Sequence, residues 1–375
     1  MHTRPPTPPD PLPLPSLGEL AASARVVSVP MRVKFRGVLE REALLVRGPA
    51  GWGEFCPFLE YDDAESAPWL ASAVEAAWYG FPAPVRASVP VNATVPAVGP
   101  GAVEGVLARF GAVGAVKVKV AEKGQELADD VARVAEVRRL LPDAGIKVDA
   151  NGGWGIDQAL DALDALERFG LQYVEQPVAD IPGLRTVRLE LRRRGSDVLV
   201  AADESVRRQE DPLRVAREDA ADVLVIKAPP LGGVRRALDI IGSAGLPAVV
   251  SSALDTSVGI RAGLALAAAL PDLPYACGLA TVSLMAGDVT DASLVPRAGA
   301  IAVRDVEVSE DKLDRFAAAP ERRAWWLQRL ARTYGVLSGA QRDSLRQEPR
   351  RLGRPAREND TETSHEGNTG STLAG

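Results

Sequence analysis

Three carboxylates and three lysines of this 375-residue chain share one kind of position, the polar end of a short apolar run. They are Lys117 and Lys119 in Ala-Val-Lys-Val-Lys-Val, Asp149 in Ile-Lys-Val-Asp-Ala-Asn, Glu175 in Tyr-Val-Glu-Gln-Pro, Asp203 in Val-Ala-Ala-Asp-Glu-Ser, and Lys227 in Val-Leu-Val-Ile-Lys. Side chains alternate along a strand, so Lys117 and Lys119 share a face, as do Lys147, Asp149 and Asn151. Carboxylates held close together repel unless a cation joins them. An all-oxygen set suits a hard divalent metal, Mg²⁺ first and Mn²⁺ second. Lysines beside such a metal could remove a proton next to a substrate carboxylate. Burial and a second ammonium would lower a lysine pKa towards a useful base. Each residue alone has a plainer reading. An isolated acid can be a helix cap or surface ion pair, and Lys227 a snorkelling surface lysine. Matching positions on several strands weigh against those readings taken together.

The elements that must position these residues alternate strand and helix from Val85 to Leu279. Strands are expected at 89–95, 115–120, 146–151, 173–176, 198–202, 223–227, 248–252 and 275–279. Helices are expected between them. Strand-plus-helix units at this pitch imply an all-parallel sheet, and eight of them, at roughly 250 residues, imply closure into a (β/α) barrel. In such a barrel the active site lies at the C-terminal strand ends, where the acids and lysines fall. A flat doubly wound sheet is the competing fold, but no glycine-rich phosphate turn follows the first strand. Upstream, three strands (25–29, 38–46, 52–55) and a helix (64–79) suggest a separate α+β cap over 21–84, completed by 281–335. Residues 295–308 are expected to return strands to that cap, and 319–334 to form a helix. Trp325-Trp326 in that helix is expected to pack. The proline-rich residues 1–20 and the charged residues 336–375 are expected to be disordered tails.

Composition narrows the chemistry. Both histidines, His2 and His365, lie in the expected tails. That argues against triad hydrolases, histidine-ligated zinc and histidine acid–base dyads. Cys56 and Cys277 are too few for a disulfide framework or a cysteine zinc site. A net charge of −6 argues against nucleic-acid binding. No apolar run reaches the length of a membrane span, and the N-terminus does not read as a secretory signal. A cytoplasmic protein acting on a small-molecule carboxylate is expected, as a monomer or homo-oligomer.

Taken in order, Lys-x-Lys, Asp-x-Asn, Glu-Gln-Pro, Asp-Glu-Ser and the later strand-end lysine resemble the enolase superfamily, its muconate-lactonising subgroup in particular. The resemblance runs from Arg25 to Trp326. It implies a barrel of the (β/α)7β type under an α+β capping domain. It also implies Mg²⁺ on Asp149, Glu175 and Asp203, Lys119 as base and then acid, and Lys227 as a cation on the opposite face. Lys117 would tune Lys119 and contact substrate, with Asn151 behind it and Lys147 an interior ion-pair partner of the carboxylates. Phe35-Arg36-Gly37, Arg41-Glu42-Ala43 and Gly51-Trp52-Gly53-Glu54-Phe55-Cys56-Pro57-Phe58 are similar to cap segments of a dehydratase branch of that subgroup, and Ser251-Ser252-Ala253-Leu254-Asp255 to its seventh-strand substrate contact. Substrate contacts are thereby expected at Lys117, Asn151, Ser251, Ser252, Arg36 and Trp52. Arg32, Lys34 and Arg36 alternate and would draw an anion, or else form a solvated edge. The implied reaction is syn loss of water from a succinyl-hydroxycyclohexadiene carboxylate, through a metal-stabilised enediolate, in menaquinone biosynthesis. The same lysines would equally serve a racemase or epimerase of N-acylated amino acids or dipeptides, or a cycloisomerase. A non-catalytic anion-binding barrel is the alternative from another class.

Overall fold

The computed structural model describes residues 12–35, 37–208 and 210–347. The chain begins with a helix that the proline-rich composition concealed, α1 (Leu17–Ser23). Ser16 and Glu19 form a reciprocal capping box at its start, and Leu20 is fully buried. The expected unstructured lead-in to residue 20 therefore ends sooner. Its first eleven residues lie outside the described ones.

Strands β1 (Arg25–Phe35), β2 (Val38–Gly48) and β3 (Gly51–Phe55) form an antiparallel sheet in that order. β1 runs on through the basic stretch that was expected to follow it. Its register slips between Pro30 and Phe35, where proline cannot donate to a ladder. Arg32 and Lys34 point to solvent there, and Arg32 Nε donates to Met285 O at 2.8 Å. Helix α2 (Asp63–Val74), capped by Asp62, runs into a π-helical turn (Glu75–Tyr79) and covers the sheet. A Cβ at Gly53 would collide with the Ala73 carbonyl, so glycine sets how closely α2 packs on β3.

The barrel follows in the expected order. β4 (Ser88–Pro90) and β5 (Ala93–Val95) divide the single strand expected at 89–95. Then come α3 (Val103–Leu107), β6 (Ala115–Lys119), α4 (Leu127–Leu140), β7 (Gly145–Asp149), α5 (Ile156–Leu166) and β8 (Leu171–Glu175). After them stand α6 (Ile181–Arg194), β9 (Leu199–Ala202), α7 (Asp211–Arg217), β10 (Val223–Ile226), α8 (Val234–Ala244), β11 (Ala248–Val250) and α9 (Ser257–Ala269). β5 to β11 make one parallel seven-stranded sheet in sequence order. That uninterrupted order excludes the doubly wound alternative, which needs a reversal of strand order.

The expected eighth strand at 275–279 does not form as a strand. Single bridges replace it, Val91 with Cys277 and Ser251 with Gly278. Cys277 N donates to Pro90 O at 2.8 Å, Asn92 N to Cys277 O at 3.0 Å and Gly278 N to Val250 O at 2.8 Å. Pro274 and Gly278 leave too short a run for a full ladder, yet these bonds join β11 to the chain before β5 and close the curl. β12 (Ala300–Ala302) pairs with β4, not with the cap as expected. What returns to the cap is the segment at 316–318, after α10 (Glu310–Arg315). Ser28 N donates to Phe316 O, and Ala318 N to Val26 O. Helix α11 (Pro320–Gln347) follows and extends past both its expected end at residue 334 and the start of the expected tail at 336. Trp326 is fully buried, edge-on to Phe55 at 5.9 Å, which is packing as expected. Residues 339–375 form a separate unit, of which 339–347 are described and helical. The remainder of the expected C-terminal tail lies outside the described residues.

Candidate active site

Strand alternation turns Lys117, Lys119, Lys147, Asp149, Tyr173 and Glu175 into the barrel, while Val116, Val118, Ile146, Val148 and Val174 join the core beneath the helices. The lower interior is apolar, built from Tyr173, Ala201, Val223, Val225 and Val249. The upper interior is charged because register aligns the strand ends. Lys119 stands opposite Asp149 on β6 and β7, and Asp149 opposite Glu175 on β7 and β8. Asp203 and Lys227 follow directly on the ends of β9 and β10.

Lys117 Nζ lies 2.8 Å from Glu175 Oε1 and 3.1 Å from Asp149 Oδ2. Lys119 Nζ lies 2.5 Å from Asp149 Oδ2 and 2.6 Å from Asn151 Oδ1. Lys227 Nζ is paired with Asp203 Oδ1. All of these residues except Asn151 are nearly or fully buried. Lys117, Lys119, Asp149, Asp203 and Lys227 line one cavity together with Phe35, Phe58, Thr94, Ser251, Ser252, Leu254 and Thr281. The cavity encloses about 400 Å³, counting space open to solvent at its mouth. Arg133, fully buried, braces the end of β6 by donating to Lys119 O at 2.7 Å. Ser252 Oγ lies 2.8 Å from both Gly278 O and Thr281 Oγ1, which joins the β11 end to the closing segment.

Burial alone would lower the pKa of Lys117, but the charges of Glu175, Asp149 and Asp203 outweigh it and raise it. The expected depression therefore does not occur at Lys117. Burial works against charge on Asp149 too, yet Lys119 and Lys117 hold it well below the usual carboxylate range. Glu175 is pushed up to about 8, by burial first and then by the charges of Asp149 and Asp203, against the pull of Lys117. Lys117 is charged beside an undercompensated Glu175, because Asp149 takes a share of both near ammoniums.

Of the expected substrate contacts, Lys117, Ser251 and Ser252 line the cavity, while Asn151 stands behind Lys119. Trp52 begins β3 opposite Arg47, whose guanidinium sits 5.8 Å from its ring, and it does not line the cavity. Arg36 lies outside the described residues. Lys147 also departs from expectation. Its Nζ donates to Asn92 Oδ1 at 3.2 Å and to Ala276 O, over the Tyr173 ring at 5.2 Å, with no carboxylate partner among the described residues. It sits one layer below the acids, and burial lowers its pKa to about 8. Phe58 and Leu254 belong to the segments expected to reach substrate, whereas Thr94 and Thr281 were not singled out from the sequence. Thr94 carried a signal, since Asn92 and Thr94 alternate with Val91, Ala93 and Val95, as interior polar residues would.

The donor set fits a hard divalent cation. It is all oxygen, and Glu175 Oε2 is buried without a hydrogen-bond partner. Asp149 and Glu175 face each other, so a shared proton or a cation must offset their repulsion.

Comparison with known proteins places this geometry in a family. The model of the enolase C-terminal domain-like family matches residues 102–307, and that of the enolase N-terminal domain-like family matches 26–77. An o-succinylbenzoate synthase of Thermobifida fusca is 54% identical over 310 residues, covering 82% of this chain and 95% of the relative. One of Mycobacterium ulcerans is 52% identical over 324 residues, covering 86% and 96%. The muconate lactonizing enzyme of Pseudomonas putida superposes with a TM-score of 0.63 at 21% identity, covering 79% of this chain and 98% of that one. Enolase-superfamily members work with a divalent metal, which the oxygen set at the barrel mouth suits. The chain belongs to the enolase superfamily and, within it, to the o-succinylbenzoate synthase family.

Proposed function

We propose that this protein is a carbon–oxygen hydro-lyase that converts 2-succinyl-6-hydroxy-2,4-cyclohexadiene-1-carboxylate into 2-succinylbenzoate in menaquinone biosynthesis. Its metal would be Mg²⁺, with Mn²⁺ as a substitute, held by Asp149, Glu175 and Asp203. When bound, Mg²⁺ would supply charge to the substrate carboxylate as the neighbouring proton leaves. Lys119 Nζ takes that proton from the ring carbon bearing the carboxylate. It then returns it to the departing hydroxyl on the same face, so water leaves and Lys119 ends as it began. Asn151 Oδ1, 2.6 Å from Lys119 Nζ, keeps the amine aimed through both transfers. Lys117 balances negative charge below the substrate carboxylate. Lys227 presents its ammonium from four strands away, over the face of the ring that becomes aromatic. Ser251 and Ser252 contact the succinyl arm, and Phe35 and Phe58 keep bulk water from the amine.

The observation that carries this reading is the shared cavity. Lys119 and Lys227 reach it from different sides with the carboxylates between them. The substrate is a free small molecule, which fits a cytoplasmic enzyme. Among the described residues no helix is long and apolar enough to cross a membrane. The test is to incubate purified protein and Mg²⁺ with the cyclohexadiene, and in a parallel arm with N-succinyl amino acids in D₂O. Formation of the aromatic product is expected. Deuterium exchange into the amino acid without dehydration would replace this reading with the racemase, for which the two-lysine arrangement is also suited.

A further inference from the structure

Gln176 directly follows Glu175, is fully buried and holds a left-handed backbone at φ 40°, a conformation that disfavours any residue with a Cβ. Its amide is fully used. Oε1 accepts from Asp203 N at 3.0 Å and from Ser205 N at 3.1 Å. Nε2 donates to Ser205 Oγ at 2.7 Å and to Val178 O at 2.9 Å. The acceptor end is unambiguous, because only an oxygen can receive two backbone N–H groups. Gln176 also works through its main chain. Its N–H donates to Ala201 O at 2.8 Å, and its carbonyl accepts from Gly152 N at 2.7 Å. One residue thus ties together the three loops that follow Asp149, Glu175 and Asp203.

The need for such a tie follows from where Asp203 stands. β9 ends at Ala202, and the chain turns at once into a short 3₁₀ segment at Glu204–Val206, so the Asp203 N–H turns to the Gln176 side chain and its carbonyl accepts from Val206 N at 3.1 Å. The Asp203 carboxylate, which pairs with Lys227, takes its aim from the set of that turn. We propose that Gln176 is a positioning residue for metal binding, whose side-chain amide fixes Asp203 relative to Glu175 and so presets the spacing of the carboxylates before the cation arrives. This rests on the reading of Asp149, Glu175 and Asp203 as the metal ligands. Groups that orient metal ligands are worth about 10- to 100-fold in metal affinity.

The experiment measures Mn²⁺ dissociation constants of the full chain by electron paramagnetic resonance of the free ion. Wild type, Gln176→Met, Gln176→Asn and Asp203→Asn are compared, with the thermal midpoint of each metal-free protein. Methionine keeps the volume of Gln176 and loses every side-chain hydrogen bond. Asparagine keeps the amide and falls one methylene short, which serves if the methionine variant does not fold. A dissociation constant raised about 10- to 100-fold is expected in either variant, with kcat at saturating Mn²⁺ within about threefold of wild type. A constant within twofold of wild type in the folded variants, while Asp203→Asn binds weakly, overturns the inference alone. If Asp203→Asn also binds as wild type does, the assignment of the ligands fails, and this inference with it.

Discussion

Two of the buried charge clusters among the described residues differ in one respect: the barrel-mouth cluster lines a cavity, and the one at the seam of cap and barrel is filled by its own hydrogen bonds. At the seam of cap and barrel, Glu54, Cys56 and Asp255 bring ligand atoms within 4.8 Å of one another, a spacing that would suit a metal. Their oxygens are already taken. Glu54 accepts from Thr256 N at 3.2 Å, from Thr256 Oγ1 and from Gly259 N at 3.0 Å. Asp255 accepts from Ala253 N at 3.0 Å and from Cys56 Sγ at 3.3 Å. The Arg41 guanidinium supplies the positive charge there and binds Leu254 O and Cys56 O. At the barrel mouth the carboxylates are met mainly by lysines, and Glu175 keeps a bare oxygen. A saturated cluster stitches two domains together, whereas an unsaturated one retains capacity for a ligand. Ligand-like spacing alone points to the seam cluster, and hydrogen-bond saturation separates the two.

The contrast can be broken in several ways. The largest effect is expected from Lys119→Ala, with turnover lowered about 10²- to 10⁴-fold while circular dichroism stays that of the native fold. Activity within a factor of ten would remove Lys119 from the chemistry. Next is Arg41→Met at the seam. It leaves the buried carbonyls of Leu254 and Cys56 without their donor, which costs about 1–3 kcal/mol in urea unfolding. Mn²⁺ affinity below the melting transition should stay within twofold of wild type. A parallel loss of metal affinity would show that the clusters are not independent.

Mg²⁺ at a hundred times its dissociation constant should stabilise the protein by about 2.7 kcal/mol. That effect should depend on pH. The Glu175 carboxyl, raised from 4.5 to about 8, favours the protonated folded state. Its contribution to metal-free stability is full below about 4.5 and fades as pH rises through about 8. Asp149, held below its ordinary range, contributes in the opposite sense, above about 4. A cation must displace the Glu175 proton, so the Mg²⁺-induced rise in melting temperature should be greater at pH 8.5 than at pH 6. A shift independent of pH would mean that Glu175 does not meet the metal. Glu54, raised to about 7 by burial and by Asp255, titrates in an overlapping range, but its contribution should be indifferent to Mg²⁺. The smallest effect is expected for Cys56→Ser, about 1 kcal/mol or less with unchanged turnover, since a hydroxyl can also donate to Asp255.

Much of the site could be read from alternation. Lys117 and Lys119, or Asp149 and Asn151, share a face because neighbouring side chains on a strand point opposite ways, and that is a local property. The helix starts beside the cap were partly legible too. Ser16-x-x-Glu19 is a capping box in plain sight, obscured by the prolines around it. Trp52 shows where such reasoning stops. Its strand was expected correctly, but its neighbours were not, since Gly53 lets β3 pack beneath α2 and the register with β2 leaves the indole beside Arg47. Lys147 shares the face of Asp149, yet one pleat of depth carries it out of reach of the carboxylates and over Tyr173.

The amino-acid sequence by itself determined the alternation of strands and helices from β5 to α9, the face on which each acid and lysine stands, and the absence of histidine from the described fold. These follow from periodicity and composition, which act over a few residues. Only the tertiary structure decided that residues 277–278 close the barrel by single bridges, that Gln176 reaches across to Asp203, and that Glu54 and Asp255 are saturated while Glu175 is not. Each of those depends on distances between groups far apart along the chain, and no local pattern encodes which of two buried carboxylates will find its last hydrogen bond.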